Sequence, residues 1–231
     1  MLIQALIRSC MRSQNNFEMP LNIVFDLDGT LIDSAPSILK CLQIVVNKNN
    51  YSTVIKFDSA LIGPPLGSAL QLLTNERDQE KLNTLIEEFK FEYDQGVCNL
   101  AKPYSGIHEL LVDLRAANKE IYIVTNKRYL PTNKIISHLG WDGLIKNIYT
   151  IDYPNSQFRE KSQVLNQLLL DCSLEKHRTC YIGDRIEDRD AANESGLPFV
   201  HVTWGYGPKN GSDLGLISAK SPDQLRTLLI G

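Results

Sequence analysis

The chain lacks any apolar run approaching the roughly 20 residues that a membrane-spanning helix needs. It also lacks a C-x-x-C pair: Cys10, Cys41, Cys98, Cys172 and Cys180 are odd in number and scattered. Such cysteines read as reduced thiols, mostly small core residues, in an intracellular, cytoplasmic protein. No charge of either sign dominates, since 24 basic residues face 27 acidic ones for a net charge of −3. That balance creates no field to draw in nucleic acid or an anionic membrane, and neither is expected as a partner. There is no internal repeat and no low-complexity stretch.

The 231 residues are 43% hydrophobic, which suits one compact domain or a core with a smaller insert. One stretch stands out. Ile23-Val24-Phe25 is short, β-branched and aromatic, so it predicts a buried strand. It runs into Asp26-Leu27-Asp28-Gly29-Thr30. Both aspartates therefore leave the strand at its tip, the end at which open α/β sheets bind ligands. An Asp-Gly turn is the bland alternative.

Residues 1–19 form a short apolar, basic, acid-poor segment, read here as an N-terminal extension rather than a targeting peptide. From Pro36 to residue 100 the apolar spacing is helical: Ile38, Leu39, Leu42, Val45 and Val46, then Leu66, Leu70 and Leu73, then Leu82, Leu85, Ile86, Phe89 and Tyr93. Strand patterns resume at Ile121-Tyr122-Ile123-Val124, Asn147–Ile151, Thr179–Ile182 and Phe199–Val202, with helical spacing between them. The alternation predicts an α/β fold with a doubly wound, mostly parallel sheet and a Rossmann-like core. The core would take residues 1–35 and 101–231, and an inserted helical cap residues 36–100.

Three of these strands end in polar residues: Asp26 with Asp28, Thr125-Asn126, and Asp184 with Asp188. Parallel strands bring those ends to one edge, so three or more carboxylates can gather there. Clustered carboxylates repel unless a cation neutralises them, and hard oxygen ligands suit Mg²⁺. Lys161, in the loop before a helix, is a candidate positive charge for the same edge. Taken singly, Thr125-Asn126 is a capped strand end, Lys161 a solvated lysine, Asp184 a turn and Asp188 a helix start. The ordered set favours a site.

The set resembles the haloacid dehalogenase superfamily. Asp26-Leu27-Asp28-Gly29-Thr30 is similar to its first motif, Thr125 to the second, Lys161 to the third and Gly183–Asp188 to the fourth. The likeness spans about residues 21–231. Lys102–Gly106, Val124–Lys127 and Val202–Gly207 look most like the phosphoglycolate phosphatase-like branch. Ser162 stands where proline is common, and Arg185 where a small hydroxyl residue is usual.

The resemblance implies a Mg²⁺-dependent phosphatase that hydrolyses a small phosphorylated metabolite, phosphoglycolate or a sugar phosphate, through an aspartyl-phosphate. It implies Asp26 as nucleophile and Asp28 as general acid and base. Asp26, Asp184 and the Asp28 backbone carbonyl would ligate the metal, and Asp188 would hold metal-bound water or orient that cluster. Thr125, Asn126 and Lys161 would bind phosphate. Gly63-Pro64-Pro65-Leu66 in the cap is a candidate specificity loop. The expected assembly is a monomer or homodimer. A sugar-phosphate mutase and a catalytically silent binding protein are the competing readings.

Overall fold

The structure, a computed structural model, describes residues 19–58, 61–62, 66–152, 158–209 and 217–231. It divides into two compact units. One holds the residues up to Ile32 together with Pro103–Tyr129 and Gly140–Gly231. The other holds Asp33–Lys102 and Leu130–Leu139.

The first unit is built on a six-stranded sheet. Its strands are β1 (Asn22–Phe25), β4 (Glu120–Thr125), β5 (Asn147–Thr150), β6 (Thr179–Gly183), β7 (Phe199–Val202) and β8 (Ser218–Ala219). The order is β5-β4-β1-β6-β7-β8, and every pairing is parallel. Two further strands, β2 (Ile32–Asp33) and β3 (Lys102–Pro103), form a separate two-stranded sheet. The chain runs from β1 to β4 and β5 on one side, then returns to β6 on the other. β1 is therefore the point at which the winding reverses, and sheets of this kind bind ligands beyond that point. Phe25 pairs with Ile123 and with Ile182, so β1, β4 and β6 end nearly level.

Helices alternate with these strands: α4 (Ile107–Ala116), α6 (Lys161–Asp171), α7 (Ile186–Ser195) and α8 (Pro222–Ile230). Val24, Tyr122, Val124, Tyr149, Tyr181 and Phe199 form one buried cluster with Val164, Leu165, Leu168 and Leu169 of α6 and Ala192 of α7. Truncating a residue such as Leu168 to alanine would cost about 2–5 kcal/mol. Helix ends follow the local chemistry. Gly196 closes α7 at φ 68°, a left-handed conformation open to glycine. Ser221 caps α8 by accepting from Gln224 N. The Gln224 side chain in turn accepts from Lys220 N, one residue before the cap.

The second unit is helical: α1 (Ala35–Lys48), α2 (Leu66–Thr74) and α3 (Gln79–Asp94), followed by a 3₁₀ turn at Val97–Leu100. Most of α5 (Tyr129–His138) groups with them. Asp78 starts α3 by accepting from Glu80 N and Lys81 N. The buried stripe of α1 is Ser37, Cys41, Leu42, Val45 and Val46, whereas Ile38 and Leu39 are half-buried. Helix does not run throughout 36–100: Tyr51–Asp58 is coil and bend, where Thr53-Val54-Ile55 weakens helix formation. Gly63, Pro64 and Pro65 of the expected specificity loop lie outside the described residues, as does all but the last residue of the 1–19 extension. Among the described residues no helix is long and apolar enough to cross a membrane.

Candidate active site

Asp26 follows the last residue of β1, and its N–H donates to Ile182 O at 2.8 Å. This tie to β6 continues the sheet one step past the strand and holds Asp26 beside Gly183-Asp184. The result is a group of three buried carboxylates. One oxygen from each of Asp26, Asp184 and Asp188 lies within 4.8 Å of the others.

Lys161 is the first residue of α6 rather than part of the loop before it. Its Nζ donates to Asp26 Oδ1 at 2.7 Å and to Asp188 Oδ1 at 2.6 Å. The ammonium is buried with both acids. Asp188 also accepts from Arg185 N through Oδ2, at 3.0 Å. It thus starts helix α7 with one oxygen and holds Lys161 with the other. Tyr181 hydroxyl bonds to the same Oδ1 at 3.2 Å.

Asp184 is fixed from several sides. Its Oδ2 accepts from Tyr206 N at 2.6 Å and Gly207 N at 3.0 Å, and its Oδ1 accepts from Thr30 Oγ1 at 3.3 Å. The Thr30 carbonyl accepts from Trp204 Nε1 at 2.9 Å, so the loop after β7 is tied to the loop after β1. His201 Nε2 lies 3.1 Å from the Asp184 carbonyl, which requires the proton on Nε2. Glycine is needed around this acid. A Cβ on Gly29 would fall 2.5 Å from Asp184 Oδ2, and those on Gly205 and Gly207 would overlap Asp184 atoms.

Asp28 is placed differently from Asp26. Its carboxylate is outside the three-acid group and pairs with Lys127 Nζ, at 3.0 and 3.1 Å through its two oxygens. Thr125 is buried at the end of β4, and its Oγ1 accepts from Lys127 N at 3.2 Å, leaving its own proton to donate. Asn126 is exposed.

One lysine among three buried carboxylates leaves surplus negative charge. Burial pushes the Asp26 carboxyl up to about 8; Lys161 opposes this and the charges of Asp188 and Asp184 add to it. Asp184 is raised as well, first by burial and then by Asp188, against the N–H groups of Gly207 and Tyr206. For Lys161 burial favours the neutral amine, but Asp188 and Asp26 outweigh it and hold the ammonium protonated. The surplus is what a hard divalent cation would neutralise, and an all-carboxylate donor set fits Mg²⁺.

Of the residues picked out from sequence, Asp26, Asp184, Asp188 and Lys161 come together directly. Lys127, Tyr181, Thr30, Trp204, His201 and the Tyr206-Gly207 backbone were not assigned roles. Lys127 had one signal, its place two residues after Thr125 at a strand end. Thr30 and Trp204 touch the site across more than 150 residues, and His201 and Tyr206-Gly207 through backbone atoms, which no local pattern marks; Tyr181 is only seven residues from Asp188, but a buried aromatic in a strand reads as core.

A family model for haloacid dehalogenase-like hydrolases matches residues 23–202, and the chain belongs to that family. Tyrosine-protein kinase PtkA of Mycobacterium tuberculosis is 29% identical over 198 residues. The match covers 85% of this chain and 66% of the relative, just under two thirds of its length. A phosphoglycolate phosphatase of Xylella fastidiosa is 27% identical over 204 residues, covering 84% of each protein. The solved structure of a predicted phosphatase from Clostridium acetobutylicum superposes with a TM-score of 0.77 at 26% identity, covering 91% of this chain and 98% of that one.

Proposed function

We propose that this chain is a Mg²⁺-dependent phosphatase that hydrolyses a small phosphomonoester through an aspartyl-phosphate on Asp26. The observation that carries the reading is the buried group of Asp26, Asp184 and Asp188 with Lys161 bridging two of them. Family membership and the similarity to a phosphoglycolate phosphatase support it.

In the first half-reaction an Asp26 oxygen attacks phosphorus and the bond to the substrate oxygen breaks. Asp28 gives its proton to the departing alkoxide. In the second half, Asp28 takes a proton from water as that water attacks phosphorus. Asp26 leaves as a carboxylate with inorganic phosphate, and the enzyme is restored. Lys161 and the Thr125 hydroxyl would bind the transferring group, with N–H groups at Asn126 assisting. Asp26, Asp184 and the Asp28 backbone carbonyl would hold Mg²⁺, with Asp188 behind them. Bound there, the ion would neutralise charge shared by the phosphoryl group and the carboxylates.

Phosphoglycolate and sugar phosphates are the substrate classes to try first, and the buried and half-buried thiols suit a reducing, cytoplasmic setting. The test is phosphate release from a panel of phosphomonoesters with and without Mg²⁺, in wild type and Asp26→Asn. Undiminished hydrolysis by Asp26→Asn would overturn the nucleophile assignment.

A further inference from the structure

We propose that Lys127 is a positioning residue that holds the Asp28 carboxylate apart from the other three acids and reserves it for proton transfer. The inference rests on the phosphatase reading above, and it assigns a residue that reading leaves without a role.

Asp26 and Asp28 are two residues apart, yet they have different cation partners. Lys161 holds Asp26 and Asp188, whereas Lys127 holds Asp28. The Lys127 contact reaches both Asp28 oxygens, at 3.0 and 3.1 Å, so it fixes the rotation of the carboxylate as well as its position. The lysine side chain is 8% exposed and that of Asp28 24%. A pair this shielded from water is worth more than one at the surface. Lys127 is itself anchored, because its N–H donates to Thr125 Oγ1 at the end of β4. The ammonium is thus carried two residues past the end of β4, the strand paired with β1, on a bend tied back to that strand.

Two demands meet at Asp28. A general acid must stand within hydrogen-bond reach of the atom it protonates. A carboxylate beside a three-acid group is also drawn toward any cation bound there, where it would become a further ligand and lose its proton-transfer role. Lys127 satisfies the first demand by orienting the group and the second by competing for it.

The test uses the difference between leaving groups. An alkyl phosphate releases a strongly basic alkoxide that needs the proton, whereas p-nitrophenyl phosphate releases a phenolate that needs it little. Lys127→Met should lower kcat/KM for the alkyl phosphate on the order of tenfold more than for p-nitrophenyl phosphate. A misfolded fraction lowers both values alike and leaves their ratio unchanged. Lys127→Gln, uncharged and of similar length, gives the same comparison if the methionine variant does not fold. Equal losses on the two substrates would overturn the assignment. Asp26→Asn, measured alongside, separates the two failures. Retained turnover there overturns the aspartyl-phosphate on Asp26 that the phosphatase reading rests on, whereas equal Lys127 losses with an inactive Asp26→Asn overturn only the role of Lys127.

Discussion

Gly29 stands against Asp184 so closely that a Cβ at residue 29 would fall 2.5 Å from Oδ2, on a backbone held at φ +90°. Strain and overlap therefore act together. Gly29→Ala should lose about 1–3 kcal/mol of stability and most of its activity, because Asp184 must move. Gly143, with nothing within 4 Å of its would-be Cβ, is the control; its alanine variant should stay within about 0.5 kcal/mol. Melting temperatures and phosphate release check both.

Lys161 neutralises two buried carboxylates at once. Lys161→Met leaves them uncompensated, and breaking a buried ion pair from one side costs roughly 3–5 kcal/mol. The same change makes the acid group more negative. Added Mg²⁺ should then raise the melting temperature of the variant by more than that of wild type, while turnover is lost. An equal shift in the two proteins would speak against a cation at this group.

The Asp26 carboxyl moves from an ordinary 3.8 up to about 8, chiefly because burial penalises its charged form. Between those values the folded chain keeps a proton that the unfolded chain releases. The stability this confers is full below the lower value and is lost as pH rises through the upper one. Without metal, the melting temperature should therefore fall as pH rises from about 5 to about 8. Asp26→Asn should flatten that slope, and so should saturating Mg²⁺, which takes the place of the proton.

Tyr181 hydroxyl lies 3.2 Å from both Val124 O and Asp188 Oδ1. Removing it in Tyr181→Phe should cost about 1 kcal/mol. Asp188 still holds Lys161 and the start of α7, so the loss in kcat should be far smaller than in Lys161→Met. A melting curve and a kcat measurement check this.

The sheet was legible because its strands are buried on both faces and are nearly continuous apolar runs; Ile121–Thr125 and Thr179–Ile182 are examples. The two-residue β8 was not, since so short an edge strand has no pattern. Asp26, Lys161, Asp184 and Asp188 were legible as a set because each stands at a strand end or helix start. The double duty of Asp188 was hidden: its sequence supports a cap and a site equally, and the structure has both. The Lys127–Asp28 pair was hidden for another reason. It spans 99 residues and depends on β1 and β4 being neighbours, which element order alone does not fix.

In the proposed reaction phosphorus passes through Asp26. Enzyme quenched in acid during turnover of a labelled phosphomonoester, then reduced with borohydride, tests it directly. Label is expected on the wild-type chain that hydroxylamine removes, and a peptide in which Asp26 has become homoserine, with neither in Asp26→Asn. Phosphate released at full rate with no label on Asp26 would contradict it.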